Sequence, residues 1–225
     1  MRLMRPLPDL PRPRPERVVL EGRYARLEPL DPARHGADLH AATFAAGYEA
    51  RLRYAPTVPR QPEGYAAWLA ATAAAADPLM FAVVDRATDR CGGRQALMRV
   101  VPEHGVIEVG HILWGPDVAR TRVATEAFAL AAAYAFDALG YRRLEWKCHG
   151  ENAASHRAAE RFGFTYEGTF RQHMVVHGRN RDTAWFALLD GEWPAVKAAL
   201  EAWLDPTNFD AEGRQRRSLG SLRAA

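Results

Sequence analysis

Six side chains with chemistry to offer fall between Val106 and Phe164, in a fixed order. Glu108 and His111 stand in Val106–Trp114, a short run of alternating β-branched and small residues that reads as a strand. Arg120 and Arg122 follow in the loop Gly115–Val123, just ahead of a helical pattern. Asn152 and Ser155 open a second, shorter helix that ends at Phe162-Gly163. A strand carboxylate such as Glu108 can take a proton or pair with an arginine. Two arginines before a helix, where free N–H groups and the positive end of the dipole meet, make a ready anion site. Asn152 and Ser155 meet on one side of the first turn, where they can cap the helix or hydrogen-bond a ligand. Strand alternation sends His111 to the face opposite Glu108, as a packed or surface histidine. Residue types alone thus define a place for a phosphate-bearing ligand, a description that fits many α/β proteins.

The elements that must position these groups can be read from periodicity. Ala124–Leu139 carries Phe128, Ala131, Ala132, Ala135 and Leu139 at helical spacing and stops at Gly140, the usual residue past a helix C-terminus. Arg142–Cys148 reads as the next strand, so strand, helix and strand form a right-handed crossover between parallel neighbours. Upstream, Val18–Leu30 reads as a first strand with a bend at Glu21-Gly22-Arg23. Asp31-Pro32 then opens a helix to about Phe44. Ala45–Arg60 is irregular and holds Tyr48, Arg51, Arg53 and Tyr54. After an Ala-rich helix over Pro62–Ala76, the strands Leu79–Asp85, Arg94–Val101 and Val106–Trp114 make an antiparallel meander. Downstream, Tyr166–His177 and Asp182–Leu189 form a hairpin, and Asp190–Leu204 a closing helix.

Length and composition bound the rest. A chain of 225 residues suits one domain with tails. The expected division is a Pro/Arg-rich tail over 1–16, one domain over 17–204, and a loose polar tail over 205–225. A net charge of +3 is too small to imply a polyanion partner, so nucleic acid is not expected. Cys91 and Cys148 lack metal-ligand spacing and suit a reducing cytoplasm, and no metal is expected. No apolar run reaches membrane-spanning length. A homodimer is left open.

Ala124-Thr125-Glu126-Ala127, then Asn152-Ala153-Ala154-Ser155, then Arg161-Phe162-Gly163-Phe164, and finally Glu167-Gly168-Thr169-Phe170-Arg171 sharpen this picture. In that order they resemble the GCN5-related N-acetyltransferase superfamily, and within it the ribosomal-protein N-terminal acetyltransferase-like branch. The likeness covers roughly Glu21 to Trp193. It implies an α/β (α+β) fold: a mixed, mostly antiparallel sheet of about seven strands, antiparallel through the first four. Helices lie on both faces and a parallel pair splays apart at the centre. It implies acetyl-CoA as co-substrate and a primary amine, small or a protein N-terminus, attacking directly in a ternary complex. A non-catalytic acyl-CoA-binding module is the alternative.

The resemblance also assigns roles. Glu108 matches the base of the histone-acetylating members, and Ser155 the branch's hydrogen-bond donor to the departing thiolate. Many superfamily members place a Tyr where this chain has Ala159. Where the branch has a glutamate this chain has Met174, and its neighbour His173 is expected on the other face. Asn152 and the backbone of Ile112 and Trp114 are expected on the pantetheine arm, and Val123, Ala124 and Thr125 at the phosphates. The superfamily's phosphate loop has Gln or Arg where this chain has Ala119, and Gly where it has Arg122. Losing that Gly restricts the backbone, while Arg120 and Arg122 add cations suited to phosphate. The irregular stretch from Tyr48 to Tyr54 is expected either beside the acceptor or packed on the core.

Overall fold

The computed structural model describes residues 9–223. One sheet runs in the order β1-β2-β3-β4-β5-β6-β8-β7. Its strands are β1 (Leu20–Glu21), β2 (Ala25–Pro29), β3 (Leu79–Asp85), β4 (Arg90–Val101), β5 (Val106–Trp114), β6 (Arg143–His149), β7 (Thr165–Val176) and β8 (Arg179–Leu189). Among the described residues, only β5 and β6 pair in parallel. Helices α1 (Pro32–Phe44), α2 (Tyr48–Leu52) and α3 (Tyr65–Ala74) cover one face. Helices α4 (Arg122–Ala133) and α6 (Trp193–Leu204) cover the other, while α5 (Ala153–Arg161) follows β6. Strand β3 shows why the sheet holds two cores. Phe81 and Val83 join the α4 side, whereas Met80, Ala82 and Val84 join the α1–α3 side. A strand buried on both faces reads as a continuous apolar run.

The mixed sheet with one crossover agrees with expectation, but it has eight strands rather than about seven. The stretch Val18–Leu30 is two strands, because the carboxylate of Glu126 on α4 interrupts it. That carboxylate accepts the backbone N–H groups of Arg23, Tyr24 and Ala25 at 2.8, 2.5 and 2.6 Å. Three donors converging on one buried anion give charge-assisted bonds about twice the strength of neutral ones. Glu126→Gln is expected to lower unfolding stability by about 1–2 kcal/mol, which a denaturant melt checks. An unchanged midpoint would mean the turn holds itself.

Helix α4 begins at Arg122, two residues before the expected Ala124, and finishes as a wider π turn over Tyr134–Ala138. Gly140, at φ 70°, then ends it as its position predicted. Asp31 caps α1 by accepting the N–H of Ala33, and α3 starts at Tyr65 rather than Pro62.

Both expected tails need correction. Residues 205–223 are anchored at Asn208 and Leu219, both buried, rather than loose throughout, although 211–218 are exposed. Leu219, on the short α7 (Leu219–Arg223), is buried, and Trp203 donates to Gln215 at 2.7 Å. Within the first stretch, Arg12 donates to the carbonyl of Pro102 and Pro13 accepts from the Tyr141 hydroxyl. Residues 1–8 lie outside the described residues. Among the described residues, no helix is long and apolar enough to cross a membrane.

Candidate active site

Parallel pairing of β5 with β6 lasts only from Val106 to Glu108, opposite Arg143 to Glu145. Beyond that the two strands part, and a cavity of about 240 Å³ opens between them. Its walls come from β4, β5, β6, the start of α5, β7, β8 and the stretch from Tyr54 to Val58. Of the four irregular-stretch candidates, Tyr54 alone lines it. Arg51 instead binds the carbonyls of Ala45 and Ala46, Tyr48 packs on Phe44, and Arg53 lies over the Tyr54 ring.

Three strands that line the cavity carry irregularities, each with a non-glycine residue at positive φ. Arg94 pairs with Leu113 but Ala96 with Gly110, so β5 holds one residue more than β4 there, and His111 takes φ 50°. Between Met98 and Val101 the extra residue belongs to β4, with Arg99 at φ 47°. Between Phe170 and Met174, β7 outruns β8, with Gln172 at φ 49°. Such bulges re-aim side chains and reset the alternation of a strand. Two expectations fail for this reason: His111 lines the same cavity as Glu108, and His173 lines it together with Met174. Left-handed backbone at a non-glycine residue costs about 1–3 kcal/mol and clusters at functional sites.

The Glu108 carboxylate is buried, 3% exposed, and held by Arg99 at 2.8 Å and Lys147 at 3.0 Å. Lys147 is shared with Glu145 at 2.7 Å. Of the two roles open to a strand carboxylate, arginine pairing is thus present, while Glu108 also faces the cavity. Burial, with Arg94 and Arg99 nearby, pushes the His111 imidazole down to about 4, so it is neutral at pH 7. Burial also pushes the Cys148 thiol up, away from thiolate. His173 shares a hydrogen bond with Thr183 at 3.0 Å.

Asn152 and Ser155 divide their work. Asn152 caps α5, its Oδ1 accepting the N–H of Ser155 at 3.2 Å. The Ser155 side chain takes no part in that cap; its oxygen accepts the indole N–H of Trp146 at 2.9 Å. A hydroxyl has one proton to give and two lone pairs, so the Trp146 contact leaves its proton to give, with the Cys148 sulfur as its neighbour in the cavity wall. Trp146 is among the lining residues that the sequence did not single out, with Arg94, Lys147 and Arg181, and nothing local in the sequence marks them.

Ile112 lines the cavity, and Trp114 lies edge-on to Phe162 with its indole N–H buried and unpartnered. At the far end of β5, the Thr121 hydroxyl bonds back to Val118 rather than capping α4. The first-turn N–H groups of a helix have no intrahelical partner, so those of Val123 and Ala124 remain for an anion. Thr125 is held internally by Thr121 and Arg161. Arg120 is exposed at φ 68°. Arg122 lies over the rings of Tyr24 and Phe209, 4.8 and 4.7 Å from their centroids. A cleft of about 520 Å³ between Arg23, Arg86 and Arg122 adjoins this turn.

A mixed sheet that splits at its single parallel pair, with a cavity at the split and an uncapped helix N-terminus beyond it, has the frame of an acyltransferase of the GCN5-related type. Residues 26–165 match the acetyltransferase (GNAT) domain family, and the chain belongs to that family. Members use acetyl-CoA as acyl donor. A GCN5-related N-acetyltransferase from Brucella melitensis is 53% identical, with a TM-score of 0.93 over 96% of this chain and 98% of that one. An uncharacterized N-acetyltransferase of Bacillus subtilis (strain 168), YoaA, is 31% identical over 39% of this chain. That match spans 49% of YoaA, about half its length. A ribosomal-protein-S5-alanine acetyltransferase from Vibrio fischeri is 18% identical, with a TM-score of 0.57 over 78% of this chain and 98% of its own. That likeness is one of fold.

Proposed function

We propose that the protein transfers an acetyl group from acetyl-CoA to a primary amine by direct attack in a ternary complex. Ser155 carries this reading: its oxygen accepts from Trp146, which leaves its proton to give at the cavity where β5 and β6 part. Acetyl-CoA supplies the activated acyl group. Ser155 hydrogen-bonds the departing sulfur, and Asn152, with its Oδ1 engaged in the cap, offers its amide N–H to the pantetheine arm. The edge of β5 past Glu108 has no β6 partner, which suits the backbone of Ile112 and Trp114 to the same arm. Phosphates fall to Arg120 and the turn of Val123, Ala124 and Thr125, with Arg122 alongside.

Glu108 is the base, directly or through a relayed water, and His111, neutral at pH 7, is a second proton acceptor on β5 facing the cavity, which His149 and His173 also line. Cys148, kept as a thiol, makes a poor nucleophile, which supports direct attack over a covalent intermediate. The ordered motifs support the ribosomal-protein acetyltransferase-like branch, although Met174 replaces its glutamate. Two free cysteines suit a cytoplasmic setting. The exposed Tyr166, Phe170 and Val175 of β7 suit a homodimer.

Calorimetry with acetyl-CoA, followed by thiol release across amines, amino acids and N-terminal peptides, tests the reading. Arg120→Ala is expected to weaken acetyl-CoA binding about tenfold, or 1.4 kcal/mol. Arg122→Ala is expected to act first on stability, because Tyr24 and Phe209 lose their cation. Acetyl-CoA binding without turnover of any amine would leave an acyl-CoA-binding module instead.

A further inference from the structure

The charges lining the cavity do not balance. Arg94, Arg99, Lys147 and Arg181 face it, against the single carboxylate of Glu108. Arg99 and Lys147 are the two that pair with Glu108. Among the described residues, neither Arg94 nor Arg181 has a carboxylate at salt-bridge distance, and the Nε of each is buried without a partner.

Arg94 is the sharper case, only 1% exposed. Its guanidinium lies over the Trp68 ring at 4.8 Å and donates to the carbonyl of His111 at 2.6 Å. It is therefore fixed in place yet uncompensated. A guanidinium does not escape burial by losing its proton, and a buried charge without a counterion costs several kcal/mol. Arg181 is half-buried; burial and the nearby Arg99 push its pKa down, and Cys148 and Glu108, the latter beyond salt-bridge distance, offset them only in part. Folds tolerate such an arrangement where a ligand supplies the missing charge.

We propose that the acceptor amine carries its own anionic group, a carboxylate or a phosphate, and that Arg94 and Arg181 receive it. This rests on the acetyl-transfer reading and names its substrate class: a small anionic amine rather than a neutral amine or a polypeptide N-terminus. The cavity volume of about 240 Å³ suits a small molecule. The guanidiniums orient the substrate by its anion, which brings its amine beside the acyl carbon.

The test compares matched amines in acetyl-CoA-dependent thiol release. Amino acids are set against their carboxamides, amino-sugar phosphates against the unphosphorylated amino sugars, and N-terminal peptides are included. At least one anionic member should exceed its neutral partner tenfold or more in kcat/KM, and which pair does so separates carboxylate from phosphate. Arg181→Gln and Arg94→Met should each collapse that preference to within about twofold. Arg94→Met should melt no lower than the parent, since it removes an unpaired buried charge; a merely structural arginine would lose stability.

If no amine is acetylated, the transfer reading fails and the subsite is still tested. With saturating coenzyme A present, inorganic phosphate or succinate should raise the melting temperature of the parent and of neither variant. Neutral amines or peptides turned over as well as anionic ones, or a melting temperature unmoved by either anion, would overturn the proposal.

Discussion

Glu108→Gln is expected to lower turnover by roughly 10²–10⁴ while acetyl-CoA affinity holds. Glutamine keeps the shape of the side chain and removes the proton acceptor. The attacking amine is mostly protonated at neutral pH, so a lost acceptor acts on the chemical step rather than on donor binding. The structure adds a second consequence, because the carboxylate is shared by Arg99 and Lys147. Lys147 keeps Glu145, but the Arg99 guanidinium has no other carboxylate partner among the described residues, so stability must be measured beside kcat. A folded Glu108→Gln protein at full speed would clear Glu108 and turn attention to His111. That imidazole, pushed down to about 4, stays neutral across the physiological range and able to accept a proton. His111→Gln would then carry the loss instead.

Ser155→Ala should lower kcat by roughly 10–10², the worth of a hydrogen bond to a charged leaving group, with little change in KM. The geometry separates this from capping, since the N-cap is Asn152 and the Ser155 hydroxyl is engaged by Trp146 instead. Alanine also strands the Trp146 indole N–H in the core, which costs about 1–3 kcal/mol. Trp146→Phe provides the control: it removes the donor, keeps the serine, and should lower kcat less than Ser155→Ala. Asn152→Ala should chiefly raise the KM for acetyl-CoA and lose about 1 kcal/mol of cap. A Ser155→Ala protein that melts lower but keeps its kcat would reduce the serine to a support for Trp146.

Elements whose causes are local are legible in the order of residues alone. The apolar spacing of Phe128, Ala131 and Ala135 defines α4 and Gly140 ends it, while Asp31-Pro32 opens α1. Strand, helix and strand in that order require parallel neighbours, and β5 with β6 are the parallel pair. Asn152 lies at the helix start where its type and spacing put it.

The site itself depends on causes that act across the sheet. A bulge is a mismatch between two strands, so no pattern within β5 or β7 alone announces that His111 joins Glu108 or that His173 joins Met174. The partners of Glu108 come from β4 and β6, and the split of the first strand comes from a carboxylate about a hundred residues away. Trp146 reaches Ser155 only because β6 and α5 pack together. Periodicity records which face of an element is apolar, and that is enough for the order of strands and helices. Which buried charge meets which partner, and which goes without one, is settled by contacts between distant segments, and only the folded chain brings those together.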